Sequence, residues 1–156
     1  MGVCLKTLEA FKQWVGDKWI VLFEIIGYTL YPGLKFKKAF MLLEDTDAGK
    51  TTFIRLVRDL LGERNYSATS MRELFDPENR FTIINLFHKL ANLTSKTKKC
   101  SINDIDLFKR LTGGDPITTD AKFKKPITFT SYAKLIVASN KLPDVKDRND
   151  KAFRRR

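Results

Sequence analysis

Histidine and cysteine are scarce in this chain of 156 residues: one histidine, His88, and two cysteines, Cys4 and Cys100. So small a set excludes a disulfide scaffold and a Cys/His metal cluster, and it suits a reducing, cytoplasmic setting. Long apolar runs are missing too. The longest, Trp19 to Tyr31, has 13 residues and contains Glu24, too short and too interrupted to span a bilayer. No basic–apolar–small leader is visible, and Lys6 stands where an N-terminal acylation signal needs Ser or Thr. Acidic residues are outnumbered, 18 against 29 Lys and Arg, for a net charge of +11. Residues 96–156 hold 16 of the basic and 7 of the acidic residues, so that segment carries +9 and residues 1–95 only +2. A basic block of this kind fits a polyanionic partner; the plainer reading is a solvated basic face. What remains is ordinary: 43% hydrophobic and 30% charged, the balance of one globular domain able to bury a core.

Periodicity organises the chain. Leu8, Phe11, Val15, Trp19, Leu22, Phe23 and Ile26 recur at three- and four-residue steps, which predicts helix over 5–31, closed by Pro32-Gly33. Phe36 to Leu43 reads as a short buried strand, followed by the turn-like Glu44-Asp-Thr-Asp-Ala-Gly49. Lys50 to Leu61 reads as a helix with Phe53, Ile54, Val57, Leu60 and Leu61 inward and Gly62 at its C-cap. Further helical turns are expected at 71–75, 79–87 and 104–111, and a second core strand near 88–94. Residues 115–131 suggest an extended hairpin, and Ala133 to Ser139 is a buried β-branched run.

A strand, a turn ending in Gly49-Lys50-Thr51-Thr52, and a helix form the setting of a phosphate-binding loop. There glycines let backbone N–H groups approach phosphate oxygens, the lysine neutralises the β- and γ-phosphates, and the hydroxyl holds Mg²⁺. The match is incomplete. Glu44 replaces the first glycine, and Asp45 and Asp47 add charge. A carboxylate roughly 7 Å from a phosphate charge repels it by about 2 kcal/mol at an effective dielectric near 20. Read without further context, the same residues describe a plain helix N-terminus.

From Ile25 onward the ordered motifs resemble the superfamily-3 helicase domain of plasmid and phage primase-helicases and their poxvirus relatives. The likeness is carried by Ile26-Gly-Tyr-Thr-Leu-Tyr-Pro32, Lys37 to Leu43, Gly49-Lys-Thr-Thr52 and Lys89-Leu-Ala-Asn92. It continues in Leu107-Phe-Lys-Arg-Leu-Thr-Gly-Gly-Asp-Pro-Ile117, Lys122-Phe-Lys124, Ala133 to Asn140, Leu142-Pro143 and Arg155-Arg156. The resemblance implies an α/β P-loop NTPase with an AAA+-like three-layer core over 34–156, a helical segment over 1–33, and a hexameric ring around single-stranded or forked DNA. It further implies ATP and Mg²⁺ as cofactors, held by Gly49, Lys50, Thr51 and Thr52, with Thr51 on the metal. Asn140 would orient the attacking water, and Arg155 or Arg156 would reach a neighbour's γ-phosphate. Lys122, Lys124 and Lys125, on the hairpin, would contact DNA phosphates; alternation sets Lys122 and Lys124 on one side and Phe123 on the other.

Two departures set a competing expectation, that of a DNA-binding or assembly module that does not hydrolyse ATP. Lys96 stands where the resemblance calls for a metal-holding acid, with Asp104 and Asp106 too far along to replace it. Moreover, the family continues beyond the arginine pair with another core strand. Without it, the phosphate-loop strand is expected at an open edge of the sheet.

Overall fold

The computed structural model describes residues 4–43, 49–97, 101–102, 104–121 and 124–145. Four strands form one parallel sheet: β1 (Phe40–Leu43), β2 (Tyr66–Ser67), β3 (Ala91–Thr97) and β7 (Lys134–Ser139), in the order β1-β7-β3-β2. Each parallel step needs a crossover, and helices supply them. Between β1 and β2 runs α3 (Lys50–Leu61); between β2 and β3 come α4 (Met71–Leu74) and a 3₁₀ segment (Arg80–Leu86). A two-stranded piece, β4 (Ser101–Ile102) with β8 (Asp144–Val145), lies outside the main sheet. After α5 (Ile105–Gly113), β5 (Pro116–Ala121) and β6 (Lys124–Thr130) pair antiparallel as a separate hairpin.

Alternation along the strands separates two core layers. Ile136 and Ala138 of β7, with Ala91 and Leu93 of β3, pack against Phe53, Ile54 and Val57 of α3 and against Phe11 and Leu22 of the N-terminal helices. Leu135 and Val137 point the other way, into Met71, Phe75, Phe108, Leu111 and Phe129. The run at 134–139 is covered on both faces and wholly buried, and it is apolar from Leu135 to Ala138. On β3 the second face is polar. Asn92 accepts from the Thr69 N–H at 3.0 Å and donates to the Thr69 carbonyl at 2.9 Å, so a fully buried amide pins the β2–α4 loop to the sheet.

The expected helix over 5–31 is in fact two, α1 (Leu5–Val15) and α2 (Trp19–Leu30), separated by a 3₁₀ turn at Gly16–Lys18. Gly16 takes φ 57, a left-handed value that ends α1 and folds α2 back on it. The strand expected from Phe36 begins only at Phe40, and β2, β4 and β8, two residues each, were not foreseen. At the other positions the expected elements form within a few residues. As expected, β1 is an edge of the main sheet among the described residues.

Lys134 is the unusual core residue. Its side chain is 0% exposed, its ammonium donates to the Tyr31 carbonyl past the end of α2, and it lies 5.1 Å from the Tyr28 ring centre and 5.9 Å from that of Tyr31. Burial pulls its pKa down from 10.5 to about 8. In the unfolded chain the proton stays on until about 10.4. Between these values the unfolded state binds more protons, so stability rises with pH across that window. The urea-derived unfolding free energy should therefore climb from pH 8 to about pH 10.4, by up to about 3 kcal/mol at roughly 1.36 kcal/mol per unit. Lys134→Met should lack this climb; parallel pH profiles for the two proteins would refute the assignment.

Candidate functional site

At the carboxyl end of β1, residues 44–48 lie outside the described residues, so the expected placement of Glu44, Asp45 and Asp47 does too. The chain is described again at Gly49, the N-cap of α3, with φ 73. The first bond of the helix runs from the Phe53 N–H to the Gly49 carbonyl at 2.8 Å. Gly49 through Thr52 thus carry the N–H groups that an α-helix leaves outside its own ladder, and the helix dipole adds positive potential there. Lys50 and Thr51 are half-buried and Thr52 is exposed.

Parallel pairing sets what stands beside this turn. Leu43 is in register with Ser139, so Asn140, the residue after β7, is exposed on the same carboxyl edge as the turn after β1. The Ser139 hydroxyl bonds both the carbonyl and the N–H of Lys141, which fixes the bend at Asn140. On the next strand, Thr97 also pairs with Ser139, after a bulge between Thr94 and Thr97. Position 96 falls in that bulge, so the backbone of Lys96 belongs to the same edge. Loops after parallel strands, at the carboxyl edge of the sheet, are where open α/β folds place ligands.

Trp14 was not singled out in the sequence. An ideal Cβ on Gly49 would stand 2.2 Å from Trp14 Cε2, so the indole rests directly on the glycine backbone. Trp14, Val15 and Lys18 from the N-terminal helices line a cavity of about 560 Å³ with Leu42, Gly49 and Lys50. Phe11, fully buried, holds this corner: its ring lies 5.6 Å from Trp14 and 5.8 Å from Phe53. The only signal in the sequence was a tryptophan beside the apolar stripe, and nothing there links it to a residue 35 positions on.

The hairpin turns between Ala121 and Lys124, which are paired, and Lys125 near its tip is exposed. Lys122 and Phe123, and hence their expected alternation, lie outside the described residues, and Lys124 is described only through its backbone. Its base is clamped. Ile117 and Phe129 are in the core, the Phe129 and Phe87 rings are 5.2 Å apart, and the Thr119 hydroxyl donates to the Arg80 carbonyl. Arg155 and Arg156 lie outside the described residues. Among the described residues no three or more of His, Cys, Asp and Glu gather as a metal cluster, and no helix is long and apolar enough to cross a membrane.

Gly49→Ala tests this corner. It adds a left-handed penalty of about 1–2 kcal/mol and a clash with the indole, so the urea-derived stability should fall by about 2–3 kcal/mol. Trp14→Ala in the same chain should relieve the clash and leave the backbone penalty. Strictly additive losses in the double variant would show that the two residues do not touch.

The family described as "Family of unknown function (DUF5906)" matches residues 44–156. No curated protein sequence is similar to the chain. Among solved structures, the A form apo structure of the NrS-1 C-terminal region (residues 305–718) is similar, with a TM-score of 0.62 and 14% identity over 94% of this chain and 34% of that one. JCV helicase, bound to a thiazolopyridine acetamide, is similar with a TM-score of 0.55 and 14% identity over 99% of this chain and 44% of that one. The fold is therefore an α/β fold with a parallel sheet that resembles the P-loop core of such a helicase. The chain spans about a third of the first of these chains and under half of the second.

Proposed function

The chain belongs to the DUF5906 family, and from its fold we propose that it is a helicase-like module of a mobile-element DNA replication protein, binding ATP with Mg²⁺ and DNA but turning ATP over slowly or not at all. The observation that supports this most is the left-handed Gly49 at the β1–α3 junction, beside a cavity large enough for a nucleotide base. The donor set fits the ligand. Backbone N–H groups at Gly49 to Thr52 and the Lys50 ammonium would hold the phosphates, Thr51 would ligate Mg²⁺, and Trp14 with Val15 and Leu42 would line the base. When bound, the metal supplies charge neutralisation at the β- and γ-oxygens. Asn140 would hold the attacking water from the adjoining strand end. A homo-oligomeric ring, six subunits by resemblance, would bring Arg155 or Arg156 of one subunit to the γ-phosphate of the next, while Lys122, Lys124 and Lys125 face DNA.

Binding without efficient turnover is favoured by Lys96. Phosphoryl transfer rests on positioned charge, and the carboxyl end of β3 offers a lysine where a carboxylate should support the metal. Losing one transition-state contact costs about 3–4 kcal/mol, or 10²–10³ in rate. Glu44, Asp45 and Asp47 add repulsion in sequence just ahead of the loop.

A titration with ATP, read by tryptophan fluorescence with and without Mg²⁺, should saturate, and Lys50→Ala should weaken it about ten- to hundredfold. Equal affinity in the variant would remove the phosphate-site reading. Phosphate release by the unmodified chain should stay far below a typical ~10 s⁻¹. Lys96→Asp with Glu44→Gly should restore more than the two changes do singly, because both act on one metal–phosphate unit. Release near ~10 s⁻¹ from the unmodified chain, stimulated by single-stranded DNA, would instead make it an active helicase motor.

DNA affinity should fall with salt and depend little on sequence. Changing Lys122, Lys124 and Lys125 together to Ala should flatten the slope of log affinity against log salt by about two to three. An unchanged slope would place the DNA site elsewhere.

A further inference from the structure

At the amino end of β1, away from Gly49, the chain passes through Tyr31-Pro-Gly-Leu-Lys-Phe-Lys-Lys38. This connection is held in one shape. Lys37 takes φ 51, rare for a residue with a Cβ, while its N–H bonds the Leu34 carbonyl at 2.9 Å. The Phe36 N–H bonds the Tyr28 hydroxyl at 3.3 Å, and the two rings lie 5.1 Å apart. Tyr31 is seated on Gly33, where a Cβ would stand 2.5 Å from its ring, and the Lys134 ammonium lies 5.9 Å from its ring centre. Both aromatic side chains are nevertheless open to solvent, Phe36 at 60% and Tyr31 at 52%.

These rings line an open cavity of about 800 Å³ between α2 and β1, floored by Tyr28 and Phe40. Its rim is cationic, with Lys35 and Lys38 on the lining against one carboxylate, Glu24; Lys37, between the two lysines in sequence, is exposed. Aromatic faces interleaved with cations suit a ligand with flat apolar rings joined by anionic links. An apolar peptide would leave the charges unmatched, and duplex DNA keeps its bases stacked inside. We propose that this cavity binds single-stranded nucleic acid, with an unstacked base lying against Tyr31 and Phe36 and the flanking phosphates on Lys35 and Lys37. Its rigid backbone lowers the ordering cost of such a contact. The cavity shares Val21, Ile25 and Phe40 with the one beside Gly49, but neither Gly49, Lys50 nor a residue of the β5–β6 hairpin lines it, so the proposal stands even if the chain binds no ATP.

Fluorescence anisotropy of a labelled oligothymidylate tests it on the full chain, with a duplex of equal length as control. Phe36→Ala should weaken single-strand binding about five- to hundredfold and leave duplex affinity within about twofold. Phe36→Trp should keep or raise single-strand affinity, which separates stacking from a folding defect, and circular dichroism should match across all variants. Lys35→Ala with Lys37→Ala should flatten the single-strand salt slope by about 1.4. Photo-crosslinking with 5-iodo-deoxyuridine should mark the peptide holding Tyr31 and Phe36, even when Lys122, Lys124 and Lys125 are all Ala. Wild-type single-strand affinity in Phe36→Ala, equal losses on both DNA forms, or crosslinks confined to residues 116–130 would each overturn the proposal.

Discussion

Parallel pairing of β1 with β7 is the constraint on which the rest of the molecule depends. It joins Phe40 to Ile136 and Leu43 to Ser139, segments far apart in sequence. Side chains on a strand alternate, so a one-residue slip would swap the faces of all six buried residues of β7. Ile136 and Ala138 belong to one core layer and Leu135 and Val137 to the other, so both layers oppose a slip. Fixed in this register, the ends of β1 and β7 deliver the turns before α3 and at Asn140 to one edge. The apolar packing thereby sets the geometry of the polar site without taking part in it.

One corner of the molecule couples the N-terminal helices to that edge. Phe11, buried among Trp14, Phe23 and Phe53, locks α1 onto α2 and α3. Trp14, three residues on, is thereby laid on Gly49. The glycine meets two demands there, a left-handed φ and room for an indole, and only a residue without a Cβ meets both. At the opposite end of α2, Lys134 plays the matching part. Its ammonium follows the helix dipole to the Tyr31 carbonyl, and two tyrosine rings take up part of its charge. An ion in the core is costly to desolvate, and here that cost joins the start of β7 to the end of α2.

The layers and the main strands could be read from the sequence because burial on two faces writes itself as a continuous apolar run, as at Ala133 to Ser139. The β1–α3 junction was legible through Gly49-Lys50 and the inward pattern of Phe53, Ile54 and Val57. Gly16 was overlooked because an apolar stripe can continue in phase across a break between two packed helices. Strands of two residues, such as Tyr66–Ser67, are shorter than one period of alternation and leave no pattern. Trp14 was invisible for a different reason: its partner, Gly49, is chosen by tertiary packing. Phe36 to Lys38 fall within the expected strand, since Phe36 and Phe40 look alike in sequence. Only the left-handed Lys37 keeps the first out of the sheet and in solvent.

The fold and the candidate site are carried by different residues here. The sheet and its layers rest on side chains such as Ile136, Val137, Phe53 and Phe108, all nearly inaccessible to solvent. Each is worth a few kcal/mol, a large share of a domain's net stability. The candidate phosphate-site residues, Gly49 to Thr52 and Asn140, stand instead at the carboxyl ends of strands, where the chain turns out of the sheet. The backbone of Lys96 lies in a bulge, where β3 leaves strict register with β7. Under the proposed reading, a lysine there in place of an acid would reverse the charge offered to a metal ion without touching the buried layers. The two solved structures share this fold at 14% identity, so the apolar framework holds while most side chains differ.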